Sequence, residues 1–189
     1  MKKRLKLIVF FSLGFVLLLA AVLTTHFWIE RNNPQKRILG FEKSNGIIRK
    51  VTFDPASDPD YRNACGGCHL PYPPGLMPGA SWRMILERLP DHFGEQLLLD
   101  PRTKERLTRY LTENGADHSS AKTSVKIMRS LNGQIPSRIT EIPLFQKKHR
   151  GIGPEIINRK SIGSFSNCSA CHRTAEQGNF NEHQVVIPN

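Results

Sequence analysis

The chain has 189 residues, a formal net charge of +11, 39% hydrophobic and 8% aromatic residues, and four cysteines. That length suits one domain or two small ones and excludes an assembly of several large domains. The basic balance suits an acidic protein partner, anionic lipid or nucleic acid, but the chain carries no nucleic-acid-recognition motif, which argues against the last.

Taken in chain order, the first feature is apolar. Lys2, Lys3, Arg4 and Lys6 precede a nearly continuous hydrophobic run, Leu7 to Leu23, of 17 residues, or 23 if counted to Ile29. This is the length of a membrane-spanning helix. A secretory signal has a shorter apolar region and a small-x-small cleavage site, and none follows Ala20–Ala21. Residues 1–30 therefore read as an uncleaved anchor; the alternative is a cleaved signal that leaves a soluble periplasmic protein. Residues 31–49 read as a basic linker.

Beyond it the pattern is mainly α. Asp58–Pro59 predicts an N-cap and a first-turn proline, opening a short helix that runs toward Cys65. The stretch LPYPPGLMPG (70–79) follows as a stiff loop. Ser81 reads as a cap for a helix with Trp82, Ile85, Leu86 and Leu89 on one face, and Pro90 stops it. Asp100–Pro101 opens another helix, with Leu107, Tyr110 and Leu111 on one face, and Asn114–Gly115 closes it. These elements make a first domain over residues 50–117.

The polar ADHSSAKT reads as a hinge into a second, irregular and loop-rich domain over residues 118–189. Its predicted elements are a helix with Val125, Met128 and Leu131 on one face, ended by Asn132–Gly133, and short segments at Pro143–His149 and Pro154–Arg159. A further helix begins near Ser166, and the final HQVVIPN is extended at best. Thirteen prolines and fourteen glycines limit the size of a conventional core, and a small loop-rich domain needs a staple.

The cysteines supply one. They occur only in CGGCH (Cys65, Cys68, His69) and CSACH (Cys168, Cys171, His172). C-x-x-C-H is the attachment pattern of a c-type haem: cysteines three apart reach neighbouring vinyl groups, and the next histidine turns to the iron. A zinc ribbon brings its cysteine pairs within about 15–20 residues, whereas 99 residues separate Cys68 from Cys168. Two covalently attached haem c groups, each with its iron, are expected, in two small haem-binding domains behind an N-terminal transmembrane helix. Attachment of this kind places the domains on the periplasmic side of a bacterial inner membrane.

The position opposite each proximal histidine decides the chemistry. Histidine or methionine there makes an electron carrier, whereas an empty position permits gas binding or catalysis. His92, 23 residues after His69, follows the Pro90 break between Asp91 and Phe93; His149 lies four residues after Phe145, on the same helical face. Each is a candidate iron ligand or a surface histidine. His118 and His183 sit among polar residues. Met77 precedes Pro78 and is the competing ligand, while Met84 and Met128 fit core faces.

Three stretches, ACGGCHLPYPPGLMPGASWRMILERLPDHFGE, PLFQKKHR and SNCSACHRTAEQGNF, resemble the bacterial dihaem cytochromes c of the DHC type. The resemblance implies a first domain similar to class I cytochrome c and a second haem domain of unusual fold. It implies two histidine ligands at each iron, His69 with His92 and His172 with His149. The expected role is electron transfer rather than catalysis, through redox partners that include a small oxygen-binding monohaem cytochrome c and a membrane b-type cytochrome. The alternative expectation is a peroxidase-like enzyme or gas-binding haem protein with one open iron.

Overall fold

A computed structural model of the protein describes residues 41–44, 47–50 and 52–189. The apolar run Leu7–Leu23 lies outside them, and among the described residues no helix is long and apolar enough to cross a membrane. Within the stretch read as a linker, β1 (Phe41–Ser44) pairs antiparallel with β2 (Ile47–Lys50), Phe41 opposite Lys50 and Ser44 opposite Ile47. The sequence carried a signal for this hairpin that composition had masked: Asn45–Gly46 between two short runs containing Phe and Ile.

The rest is helical, and both C-x-x-C-H motifs lie within one compact unit, Gly40–Asn189. Helix α1 (Pro59–Cys65) starts as expected: the Asp58 carboxylate accepts from the Tyr61 N–H at 2.8 Å, and Pro59 occupies the first turn. Helix α3 (Pro101–Glu113) repeats the device, with Asp100 accepting from Thr103 N–H at 3.0 Å. Each cap satisfies a backbone donor that has no partner inside its helix.

Helix α2 (Gly79–Glu87) departs from the expected start. Ser81 is not its cap but a fully buried residue in its first turn. The helix begins three residues earlier, at Gly79, where a distant side chain supplies the cap: Asp117 accepts from the Gly79 N–H at 2.8 Å, 38 residues away. Ala116 N–H donates to the Met77 carbonyl at 2.8 Å. The start of ADHSSAKT is thus fastened against the segment that leads into α2.

The core forms where α2 crosses α3 and α1 leans on the same helix. Trp82, Leu86, Leu89, Leu107, Leu111 and Tyr61 fill it, each large apolar side chain contributing about 1.5–3 kcal/mol by leaving water. The proline-rich stretch is also core: Pro73 to Gly79 are buried, and Trp82 Nε1–H donates to the Pro74 carbonyl at 2.7 Å. Met77 is 1% exposed within this core.

Helix α4 (Lys122–Leu131) buries Ser124, Ile127 and Leu131, a face turned by one residue from the expected Val125, Met128 and Leu131. The reason is polar: Ser124 Oγ–H donates to the Gly75 carbonyl at 2.9 Å, and Gly75 leaves room for that approach. Asn132 ends the helix in the left-handed region, φ 46°, as its pairing with Gly133 predicted. Helix α5 (Pro143–His149) packs on α4. Helix α6 (Pro154–Ile157) and helix α7 (Cys168–Cys171) are single turns.

The two ends of this unit meet. Thr52 and Phe53 N–H both donate to the Gly178 carbonyl, at 3.0 and 2.9 Å, and Phe180 N–H donates to Thr52 Oγ1 at 3.0 Å. Gly178 has φ +72°, and a Cβ there would meet the Phe53 carbonyl oxygen at 2.1 Å. Only glycine permits that approach.

Candidate metal centres

Each C-x-x-C-H motif rides on a helix end. Cys65 closes α1, and Gly66 N–H returns to the Arg62 carbonyl at 2.8 Å, so Gly66–Gly67 swing Cys68 and His69 out of the helix. Cys168 and Cys171 both lie in α7, and His172 N–H donates to the Cys168 carbonyl at 2.8 Å. All four thiols are free of disulfides. Burial pushes Cys65 and Cys168 up to about 11 and raises Cys171 as well.

His92 is brought to His69 by a tight turn rather than by a helix. The helix ends at Glu87; Pro90 sits in a 3-10 turn, Leu89–Asp91; and His92 and Glu95 then exchange backbone hydrogen bonds of 2.8 and 3.2 Å. The two central residues, Phe93 at φ +58° and Gly94 at φ +99°, both have positive φ, as a type I′ turn requires. Glycine suits that backbone, whereas a bulky residue there is strained. The Phe93 ring is held between the His92 ring, 4.9 Å away, and the Arg138 guanidinium, 4.0 Å above its face.

The outcome is two histidine pairs. The His69 and His92 rings lie 6.3 Å apart at 21°, and those of His149 and His172 lie 6.2 Å apart at 67°. An imidazole–metal bond is about 2.0–2.1 Å, and a ring centre lies roughly 1.1 Å behind its ligating nitrogen. Two imidazoles on opposite sides of one metal therefore have centres about 6.2–6.4 Å apart. Both pairs match that separation.

The ring nitrogens agree with it. His69 Nδ1–H donates to the Leu70 carbonyl at 2.7 Å, and His149 Nδ1–H donates to the Phe145 carbonyl at 2.8 Å. A carbonyl oxygen only accepts, so these bonds fix the tautomer and leave Nε2 with its lone pair for a metal. Burial first, and then His69 and Arg138 nearby, push the His92 pKa down. Burial and then His149 do the same to His172. Both effects favour the neutral, ligating imidazole.

Aromatic side chains brace the rings. Tyr72 stacks on His69 at 4.8 Å and 17°, and Phe145 stacks on His149 at 4.0 Å. Phe165 meets His149 edge-on at 6.2 Å, and Phe180 lies 5.2 Å from His172. Open apolar surface stands beside both centres: Phe93 next to His92 is 47% exposed, and Val186, whose N–H donates to the Cys171 carbonyl, is 49% exposed. Free thiols, imidazole pairs whose ring centres lie at the separation one metal spans, and open apolar side chains together fit two flat apolar groups, each carrying an iron.

The remaining candidates stand apart. His118 is exposed beside Asp117, and His183 is exposed in a surface turn, Glu182–Gln184. Sequence reasoning missed the Tyr72, Phe165 and Phe180 contacts. Tyr72 lies three residues after His69, a local signal that could have been read. Phe180 reaches its place through the Thr52 and Gly178 contacts, for which no local signal exists.

Comparison with known proteins is consistent with this geometry. The family described as dihaem cytochrome c matches residues 61–180. A diheme cytochrome c from Rhodobacter sphaeroides is 37% identical, with a TM-score of 0.59 over 67% of this chain and 98% of that one. A second structure, of DHC purified from the same organism, gives 37% identity and a TM-score of 0.55 over 67% and 99%. The diheme cytochrome c of Shewanella baltica OS155 is 36% identical, with a TM-score of 0.57 over 69% and 93%. No curated protein matches the chain.

Proposed function

The chain belongs to the dihaem cytochrome c family and binds two haem c groups covalently, and from that premise we propose that it is an electron carrier with two bis-histidine irons. The observation that carries the reading is the separation of the two histidine pairs, 6.3 and 6.2 Å, the span of one metal between two imidazoles.

Cys65 and Cys68 hold the first haem and Cys168 and Cys171 the second. His69 with His92 would hold the iron of the first haem, and His172 with His149 that of the second. When bound, each haem stores and releases one electron. The chain's part is to keep the iron closed to other ligands and change its surroundings little between oxidation states. The carbonyls of Leu70 and Phe145 fix two ring tautomers, and Tyr72, Phe145, Phe165 and Phe180 hold the rings in place. Two histidine ligands place both potentials low relative to histidine–methionine irons.

The protein works on the periplasmic side of the inner membrane, and residues 1–30 serve as its anchor or leader. Its donors and acceptors are other redox proteins, a monohaem cytochrome c and a membrane b-type cytochrome among them. Exposed Lys147, Lys148 and Arg150 adjoin His149, and the net charge of +11 favours an acidic partner, so association slows as salt rises.

Carbon monoxide tests the reading. The reduced protein is expected to stay six-coordinate and bind the gas neither rapidly nor stoichiometrically. Prompt binding of one equivalent would replace a carrier with a gas-binding or peroxidase-like centre at that iron.

A further inference from the structure

We propose that Tyr72 is a positioning residue that ties the two centres together, setting the His69 ring and the approach of the second motif with one side chain. The inference rests on the reading of the two histidine pairs as axial ligands.

Tyr72 meets both centres at once. Its ring lies on the His69 imidazole, 4.8 Å centre to centre and 17° from parallel. Its hydroxyl donates to the Ser166 carbonyl at 3.0 Å, 94 residues along the chain and two before Cys168. Phenylalanine could make the first contact but not the second, and a short hydroxyl side chain could reach neither.

Both ends of the tie are anchored. Pro71 and Pro73 flank Tyr72 and restrict its backbone. The buried Tyr61 donates its hydroxyl to the Tyr72 carbonyl at 3.1 Å. At the other end, Ser166 N–H donates to Ser164 Oγ at 3.0 Å, and Asn167 Nδ2–H to the Ile162 carbonyl at 2.9 Å. A side chain held rigidly at both ends transmits a displacement, whereas a loose one absorbs it.

The next residue carries the connection onward. Phe165 precedes Ser166, and its ring meets His149 edge-on at 6.2 Å. His69, Tyr72, Ser166, Phe165 and His149 therefore form a continuous series of ring contacts, one hydrogen bond and one peptide link. It joins a ligand of the first iron to a ligand of the second. Loss of the hydroxyl frees the 165–168 segment while leaving the ring on His69.

The test uses the holoprotein and two variants, Tyr72→Phe and Tyr72→Leu, read by electron paramagnetic resonance of the oxidised form and by potentiometric titration. In Tyr72→Phe the signal of the His69–His92 iron is expected to stay in place. The signal of the His149–His172 iron shifts, and the separation between the two reduction potentials changes. In Tyr72→Leu both signals shift. Wild-type spectra and an unchanged separation in Tyr72→Phe would overturn the proposal, as would a shift confined to the His69 iron. A high-spin or gas-binding wild-type protein would instead overturn the ligand reading itself, so the two failures are separable.

Discussion

His149 and His172 hold their imidazole rings 67° out of parallel, whereas His69 and His92 hold theirs within 21°. One ring of each pair is held by near neighbours in the chain, and its angle to the other follows from how distant segments pack. The His149 ring is fixed by the stack on Phe145, one helical turn back, and by its bond to the Phe145 carbonyl. The His69 ring is fixed by Tyr72 and the Leu70 carbonyl. The His69 and His149 rings are thus each oriented by these contacts and not by the histidine opposite.

Ring planes control how imidazole π electrons split the iron orbitals of like symmetry. Parallel planes act on the same orbital and separate the pair; crossed planes act on both and leave them closer. The oxidised protein should therefore give two low-spin signals. The His69–His92 iron should contribute the more rhombic signal, and the His149–His172 iron the more strongly anisotropic one. Two identical signals would contradict the ring angles.

Removing a distal ring tests the pairing directly. His92→Ala is expected to open the first iron to one equivalent of carbon monoxide while the second stays closed, and His149→Ala to do the reverse. Optical titration of the reduced proteins measures this. A fully low-spin, gas-inert His92→Ala protein would remove His92 as a ligand.

Asp117 offers a test of folding that leaves the centres alone. Asp117→Ala removes the acceptor at the Gly79 N–H and is expected to cost about 1 kcal/mol, the typical worth of an N-cap. The denaturant midpoint of the holoprotein should fall by a corresponding amount with the visible spectrum intact. An unchanged midpoint would show that water replaces this carboxylate at no cost.

Gly178→Ala should be more damaging. The new Cβ would meet the Phe53 carbonyl oxygen at 2.1 Å, and the backbone stands at φ +72°, so two separate penalties apply. A loss of roughly 2 kcal/mol or more is expected. Because Phe180 beside His172 is held through this junction, the spectrum of the second iron should shift as well. Thermal melting followed in the haem absorption band checks both effects.

Much of the local design was legible in the sequence. CGGCH and CSACH announce their chemistry because attachment depends on residues within one helical turn. Asp58–Pro59 and Asp100–Pro101 announce helix starts because cap and helix are neighbours in the chain. Pro90 announces a break for the same reason, and Asn132–Gly133 an ending. The HFGE turn was half legible: Gly94 signals a turn, but nothing in the sequence says that Phe93 adopts a positive φ under Arg138.

What the sequence determined by itself, then, were features decided by neighbouring residues: two attachment motifs, two capped helices and the breaks between them. Only the tertiary structure decided that Asp117 caps a helix 38 residues back, that Ser124 turns the inner face of α4 by one residue, and that Tyr72 reaches Ser166. It also set the angle between the rings of each histidine pair. Those outcomes depend on hydrogen bonds and ring contacts between segments far apart in the chain, whose distances no local spacing encodes.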